Sequence, residues 1–209
     1  IFDDHSSDKT LMFLDRIIDR FDSEKIEVRL THLKDNGIAN SIKNCYDWLS
    51  TAEGDLVYLV QDDYLFLTDS ILEITDVFYK VKNDIGVEPL ITSYNDPMFW
   101  YSDECYRYRT TPRTLVPGAR RYWINTFNIP CTFFTSKKQF NDHWDMYDIF
   151  FKILNNPPYS SLETLSLDKI ATEKNIMSLV PVNSVALHMQ SIGFKDPYID
   201  WKVIWDSVV

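Results

Sequence analysis

Glycine is scarce in this chain, with five in 209 residues. None falls in a G-x-G-x-x-G or Walker A arrangement, so classical dinucleotide and P-loop folds fit poorly. Only three cysteines occur, Cys45, Cys105 and Cys131, widely spaced in apolar or aromatic surroundings. That spacing suits neither a disulfide framework nor a zinc site, and implies reduced thiols in a cytoplasmic compartment. No apolar run approaches the roughly 20 residues that span a bilayer, and no segment has the make-up of a signal peptide. Basic residues are outnumbered, 21 against 31 acidic, for a formal charge of −10. Such a surface repels a phosphate backbone, which argues against nucleic-acid partners.

What the chain does have is apolar and aromatic mass, 45% and 15% of residues. Its length fits one domain with a substantial core. Residues 10 to 21 place Leu11, Leu14, Ile17, Ile18 and Phe21 at helical spacing after Ser6, Ser7 or Asp8 as a cap. An alternating strand is predicted over 26–31. A turn at Asn36-Gly37 precedes a helix carrying Ile38, Ile42, Cys45, Tyr46 and Leu49. A buried strand follows over 56–61, a helix over 69–82 and a strand over 89–93. This alternation predicts an α/β fold with a mostly parallel central sheet flanked by helices on both faces.

Beyond Asn95 the pattern is less regular. Residues 96 to 128 are dense in aromatics, Arg and Pro, and predict an irregular loop that packs its rings on the sheet or offers them to a ligand. A strand over 129–135, a helix over 136–154, a shorter helix over 161–173, extended segments over 178–182 and 184–189, and a Trp-rich tail complete the chain.

Two acidic pairs end apolar runs: Asp3-Asp4 after Ile1-Phe2, and Asp62-Asp63 after the run 56–60. Adjacent carboxylates repel where a buried strand emerges, a cost that a cation can offset. In open α/β sheets, ligands bind at the carboxyl ends of strands. The two pairs therefore predict one crevice, a divalent metal and an anionic ligand. A lone histidine in an apolar run, such as His188, is more often a satisfied core residue than a ligand.

Three segments carry a resemblance. Asp3-Asp4-His5-Ser6-Ser7-Asp8-Lys9-Thr10 resembles the "DDxSxDxT" segment of family 2 glycosyltransferases with the GT-A fold. Asp35-Asn36-Gly37-Ile38-Ala39-Asn40-Ser41 resembles their Asn-Gly turn and following helix. Residues 54–64, Gly-Asp followed by the strand and Asp62-Asp63-Tyr64, resemble their "GD" and metal-binding "DxD" strand. The three agree in order and spacing over about the first third of the chain. There are two departures. Members of the family carry a strand and a helix ahead of the first segment, which are not among these residues. Gln61 also stands where a strict Asp-x-Asp has its first acid.

The resemblance implies a single GT-A-like domain over 1–209, with a nucleotide-sugar and metal half over 1–95 and an acceptor half over 96–209. It implies transfer of a hexose, with inversion, from a nucleoside diphosphate sugar (a UDP-sugar) to a glycan or glycoprotein hydroxyl. Mn²⁺ or Mg²⁺ would be held by Asp63, with Asp62 at the ribose or a metal-bound water and His188 at the metal or diphosphate. Asp3, Asp4 and Asn36 would bind the donor. Asp168 would be the general base, with Glu163 beside it. Nucleotidyl transfer, or non-catalytic binding of sugars or nucleotides, are the alternatives.

Overall fold

The computed structural model describes residues 1–21, 26–34, 37–95, 112–127, 129–130, 132–145, 167–189 and 195–208, with only the backbone of 38, 39, 167–169 and 208. The chain is mixed α/β and divides into two compact units, 1–53 and 54–209.

In the first unit, β1 (Phe2–Asp3) pairs in parallel with β2 (Thr31–His32), the Thr31 and Leu33 amides donating to the Ile1 and Asp3 carbonyls. Helix α1 (Asp8–Phe21) starts where expected, with the Ser7 hydroxyl accepting from the Thr10 amide at 3.4 Å. Helix α2 (Ile38–Thr51) buries Ile42, Tyr46 and Leu49, the stripe that its helical spacing predicts. The strand predicted over 26–31 forms its ladder only at Thr31–His32; residues 26–30 carry no regular structure.

The second unit is built on a six-stranded sheet. Its strands are β3 (Leu56–Leu59), β5 (Leu90–Ile91), β6 (Leu115–Pro117), β7 (Tyr122–Asn125), β8 (Phe133–Ser136) and β9 (Ser178–Pro181). Their order is β3-β8-β5-β9-β7-β6, and only the β5–β9 pair is parallel. The expected mostly parallel sheet is thus mostly antiparallel here. Helix α3 (Ser70–Ile85) does provide the crossover between β3 and β5, and these two strands run the same way. The later strand β8 lies between them and antiparallel to both, an insertion that element order alone does not reveal. It also makes β3 an edge strand among the described residues, where a central strand was expected.

Helix α3 supplies one side of the core through Ile74, Val77, Phe78 and Val81, spaced at i, i+3, i+4 and i+7. They pack on Ile91, Val116, Trp123, Phe134 and Leu179 of the sheet, with the Phe78 and Phe134 rings edge-on at 5.5 Å. Trp123 lies in the region expected to be irregular, part of which is instead the hairpin β6–β7. Side-chain alternation sends Val116 and Trp123 inward and leaves Leu115 and Tyr122 outward. At the hairpin turn the Gly118 amide donates to the Arg121 carbonyl. A Cβ on Gly118 would lie 2.6 Å from Trp123 Nε1, so only glycine lets that ring seat against the turn.

Two further strands, β4 (Tyr64–Phe66) and β10 (Ala186–His188), form a separate antiparallel ladder pairing Tyr64 with His188. Helix α6 (Trp201–Val208) backs it, Trp201 packing with Leu65 and Leu187. Helices α4 (Lys137–Asp142) and α5 (Leu167–Glu173) lie within the segments predicted as helices over 136–154 and 161–173, of which 146–154 and 161–166 are outside the described residues.

An ion pair between a buried carboxylate and a partly buried guanidinium ties α3 to the hairpin and to the turn before β10. Arg121 Nε and Nη2 donate to the Glu73 carboxylate, and Nη1 donates to the Asn183 and Ser184 carbonyls at 2.7 and 3.2 Å. Removing one member of such a pair strands the other charge away from water. Glu73→Gln is therefore expected to lower unfolding free energy by about 3 kcal/mol, at the lower end for a broken buried pair, read from the urea midpoint at unchanged slope. A loss under about 0.5 kcal/mol, the size of an ordinary surface change, would show that the pair contributes little.

Candidate functional site

The acids that end β3 lie in a turn leading directly into β4. Asp62 is exposed at that turn. Asp63 is pinned at both ends: its carbonyl accepts the Met189 amide at 2.7 Å, and its Oδ2 lies 3.0 Å from His188 Nε2. The two side chains are 125 positions apart in sequence and are both about a quarter exposed. Their contact follows from the β4–β10 register, which sets Tyr64 opposite His188 and extends to the Asp63–Met189 backbone bond. Two rings enclose the imidazole: Tyr64 stacks on it at 4.8 Å between centroids, and Tyr94 meets it edge-on at 6.0 Å. Neither ring was singled out from the sequence. The available signal was Tyr64, adjacent to the acidic pair in an alternating apolar stretch.

Carboxylate oxygen and imidazole nitrogen are donors that Mn²⁺ accepts, and ions of this class take few protein ligands when phosphate and water complete the shell. Asp63 and His188, in contact and open to solvent, fit that use. Among the described residues no group of three His, Cys, Asp or Glu side chains forms a cage that would hold a metal alone.

In the first unit the acids of the other pair take hydrogen bonds from protein donors. Asp3 is buried; its Oδ1 accepts the Ser6 amide at 3.2 Å and its Oδ2 lies 3.1 Å from His32 Nδ1. The Ser6 hydroxyl foremost, and then His32, hold the Asp3 carboxyl below the usual aspartate range. Asp4 is partly exposed, and both its oxygens accept the Gly37 amide, at 3.2 and 3.0 Å. That backbone bond is the main reason its carboxyl also titrates low; His5 and Ser41 add to it. Gly37 presents its amide from φ +112°, a conformation that L side chains rarely adopt. Adjacent carboxylates are tolerable here because each has its own donors. A cleft of about 680 Å³ in this unit is lined by Phe2, Val28, Thr31 and Trp48, on the Phe2 side of β1.

The side chains of three candidates are not among those described. Asn36 and Glu163 lie outside the described residues. Asp168 lies in α5, where its backbone alone is described. The arginines of the segment 96–128 have protein partners where they are described. Arg113 donates to the Asn125 carbonyl, Arg120 pairs with Asp69, and Arg121 pairs with Glu73. Burial pushes the Cys45 thiol up to about 11 and the Tyr58 hydroxyl up to about 12, which favours the protonated form of both at neutral pH.

The Asp3 shift has a consequence for acid stability. A carboxyl whose folded pKa is depressed stabilises the fold above its unfolded value, here 3.8, and loses that contribution as pH falls through the lower folded value. Asp3→Asn should therefore flatten the loss of stability below about pH 4, the onset set by an ordinary aspartate. The check is tryptophan fluorescence during acid titration of both proteins; an unchanged acid limb in the variant would contradict it.

No protein-family model matches this chain, and no curated protein matches it in sequence. No helix among the described residues is long and apolar enough to cross a membrane.

Proposed function

We propose that this chain is a cytoplasmic GT-A-like glycosyltransferase that moves a hexose from a nucleoside diphosphate sugar, a UDP-sugar, to a hydroxyl of a glycan or glycoprotein. The observation that supports the reading best is the Asp63–His188 contact. The resemblance assigned these two residues, from opposite ends of the chain, to one metal and diphosphate site, and they touch.

Asp63 and His188 would hold Mn²⁺ or Mg²⁺, which when bound neutralises the charge gathering on the departing nucleoside diphosphate. Asp62, exposed on the same turn, would serve the ribose or a metal-bound water. Of the first acidic pair, Asp4 suits a nucleoside contact better than Asp3, whose two oxygens are buried against Ser6 and His32. Asn36 would bind the donor as well. In the transfer, the acceptor oxygen forms a bond to the anomeric carbon as the bond to the diphosphate oxygen breaks on the opposite face. The acceptor proton passes to a carboxylate, assigned to Asp168 with Glu163 as the neighbouring acid.

The test is release of UDP from UDP-sugars with and without Mn²⁺, coupled to titration of donor binding. The unaltered chain should bind and turn over one UDP-sugar in a metal-dependent way, and Asp63→Ala should lose metal-dependent donor binding. Asp168→Asn should keep donor affinity while turnover falls about 10²–10⁴-fold, as for a lost general base. Binding without release would make the chain a non-catalytic nucleotide-sugar module. Pyrophosphate formation from a nucleoside triphosphate and a sugar phosphate would make it a nucleotidyltransferase.

A further inference from the structure

His188 has more around it than a metal ligand requires. The ladder of β4 and β10 sets Tyr64 directly across from it. Within that pair the phenol and imidazole planes lie only 16° apart, with centroids 4.8 Å apart. Tyr94, buried at the end of the segment after β5, closes the edge at 65° to the imidazole and stands edge-on to Tyr64 at 6.2 Å.

Two constraints of different kinds act on one side chain. The terminal torsion of histidine is broad and roughly two-fold, so the ring plane is poorly fixed by its own bonds. Stacking restricts the plane but does not choose between its two faces-about orientations. The Asp63 contact makes that choice by turning Nε2 toward Oδ2. Tyr64 is also the residue next to Asp63 in the chain, so a single strand start carries both the carboxylate and the ring that orients its partner.

We propose that Tyr64 is a positioning residue for the Asp63–His188 pair, holding the imidazole plane by stacking so that, when Nε2 exchanges its proton for an ion, the ring already faces the Asp63 carboxylate. This rests on the metal reading of that pair given above. Partners that orient a metal-binding histidine typically alter metal affinity 10- to 100-fold when removed. A ring face is what the role requires, not the phenol hydroxyl. Phe at position 64 should therefore keep the ion affinity, whereas Leu keeps apolar bulk on the strand and loses the face.

The experiment titrates Mn²⁺ into the full chain at saturating UDP, following the free-ion paramagnetic resonance signal, for the unaltered protein, Tyr64→Phe, Tyr64→Leu and Asp63→Ala. The expected result is equal affinity in the first two, at least about tenfold weaker binding in Tyr64→Leu, and none at this site in Asp63→Ala. Equal affinity in Tyr64→Leu, with binding lost in Asp63→Ala, overturns the positioning role and leaves the metal reading standing. Unchanged binding in Asp63→Ala overturns both. A second measurement does not depend on Tyr64→Leu folding. The His188 ring protons, assigned by their loss in His188→Gln, should resonate upfield through the ring current of Tyr64 in the metal-free protein and in Tyr64→Phe. Resonances at ordinary histidine positions in the unaltered chain would overturn the proposal.

Discussion

The second unit depends most on the pairing of Arg121 with Glu73. A guanidinium and a carboxylate taken out of water cost several kcal/mol each unless their hydrogen bonds are replaced. Here the fork of Arg121 is used twice over, toward the Glu73 carboxylate and toward the carbonyls of Asn183 and Ser184. One side chain thereby joins α3, the β6–β7 hairpin and the turn between β9 and β10. Other bonds converge on that turn: Asp196 accepts the Ser184 amide, the Val185 amide donates to the Ser93 carbonyl, and the Ser70 hydroxyl donates to the Val185 carbonyl. A turn held from so many sides delivers β10 to β4 in a single register. That register brings His188 to Asp63.

The acidic pairs illustrate how the same local problem can be solved in two ways. At Asp3-Asp4 each carboxylate is directed to separate donors, one of them a backbone amide at the start of α2. At Asp62-Asp63 one acid is released to solvent while the other is tied to a distant histidine. In the first arrangement both carboxylates accept bonds from the protein. The second leaves a carboxylate and an imidazole side by side at partial exposure, where an ion with its own phosphate and water ligands can be accommodated.

Much of this was legible in the chain because periodicity reports burial. Helices α1, α2 and α3 follow from apolar residues at three- and four-residue steps, and α3 buries the face so defined. Strands β3, β8 and β9 follow from short apolar runs. Sheet direction was not legible, since β8 enters between β3 and β5 from more than 40 positions beyond β5 in the chain. Nor was the hairpin β6–β7: its strands are three and four residues long, and its Arg-rich turn reads as surface until Arg121 finds Glu73. Asp63 and His188 were each recognisable by resemblance. Their adjacency, and the rings that frame it, arise from a pairing of two three-residue strands that no local pattern announces.

The central claim is that Asp63 and His188 form one ion site serving a nucleoside diphosphate. It is tested most directly by diffraction from crystals of the full chain grown with UDP and Mn²⁺, using the anomalous signal of manganese to locate the ion. An anomalous peak is expected within coordination distance of both the Asp63 carboxylate and the His188 imidazole, about 2.0–2.6 Å from the carboxylate oxygen as for hard divalent ions, with diphosphate oxygens beside it. A peak elsewhere, with the Asp63–His188 hydrogen bond intact, would contradict it.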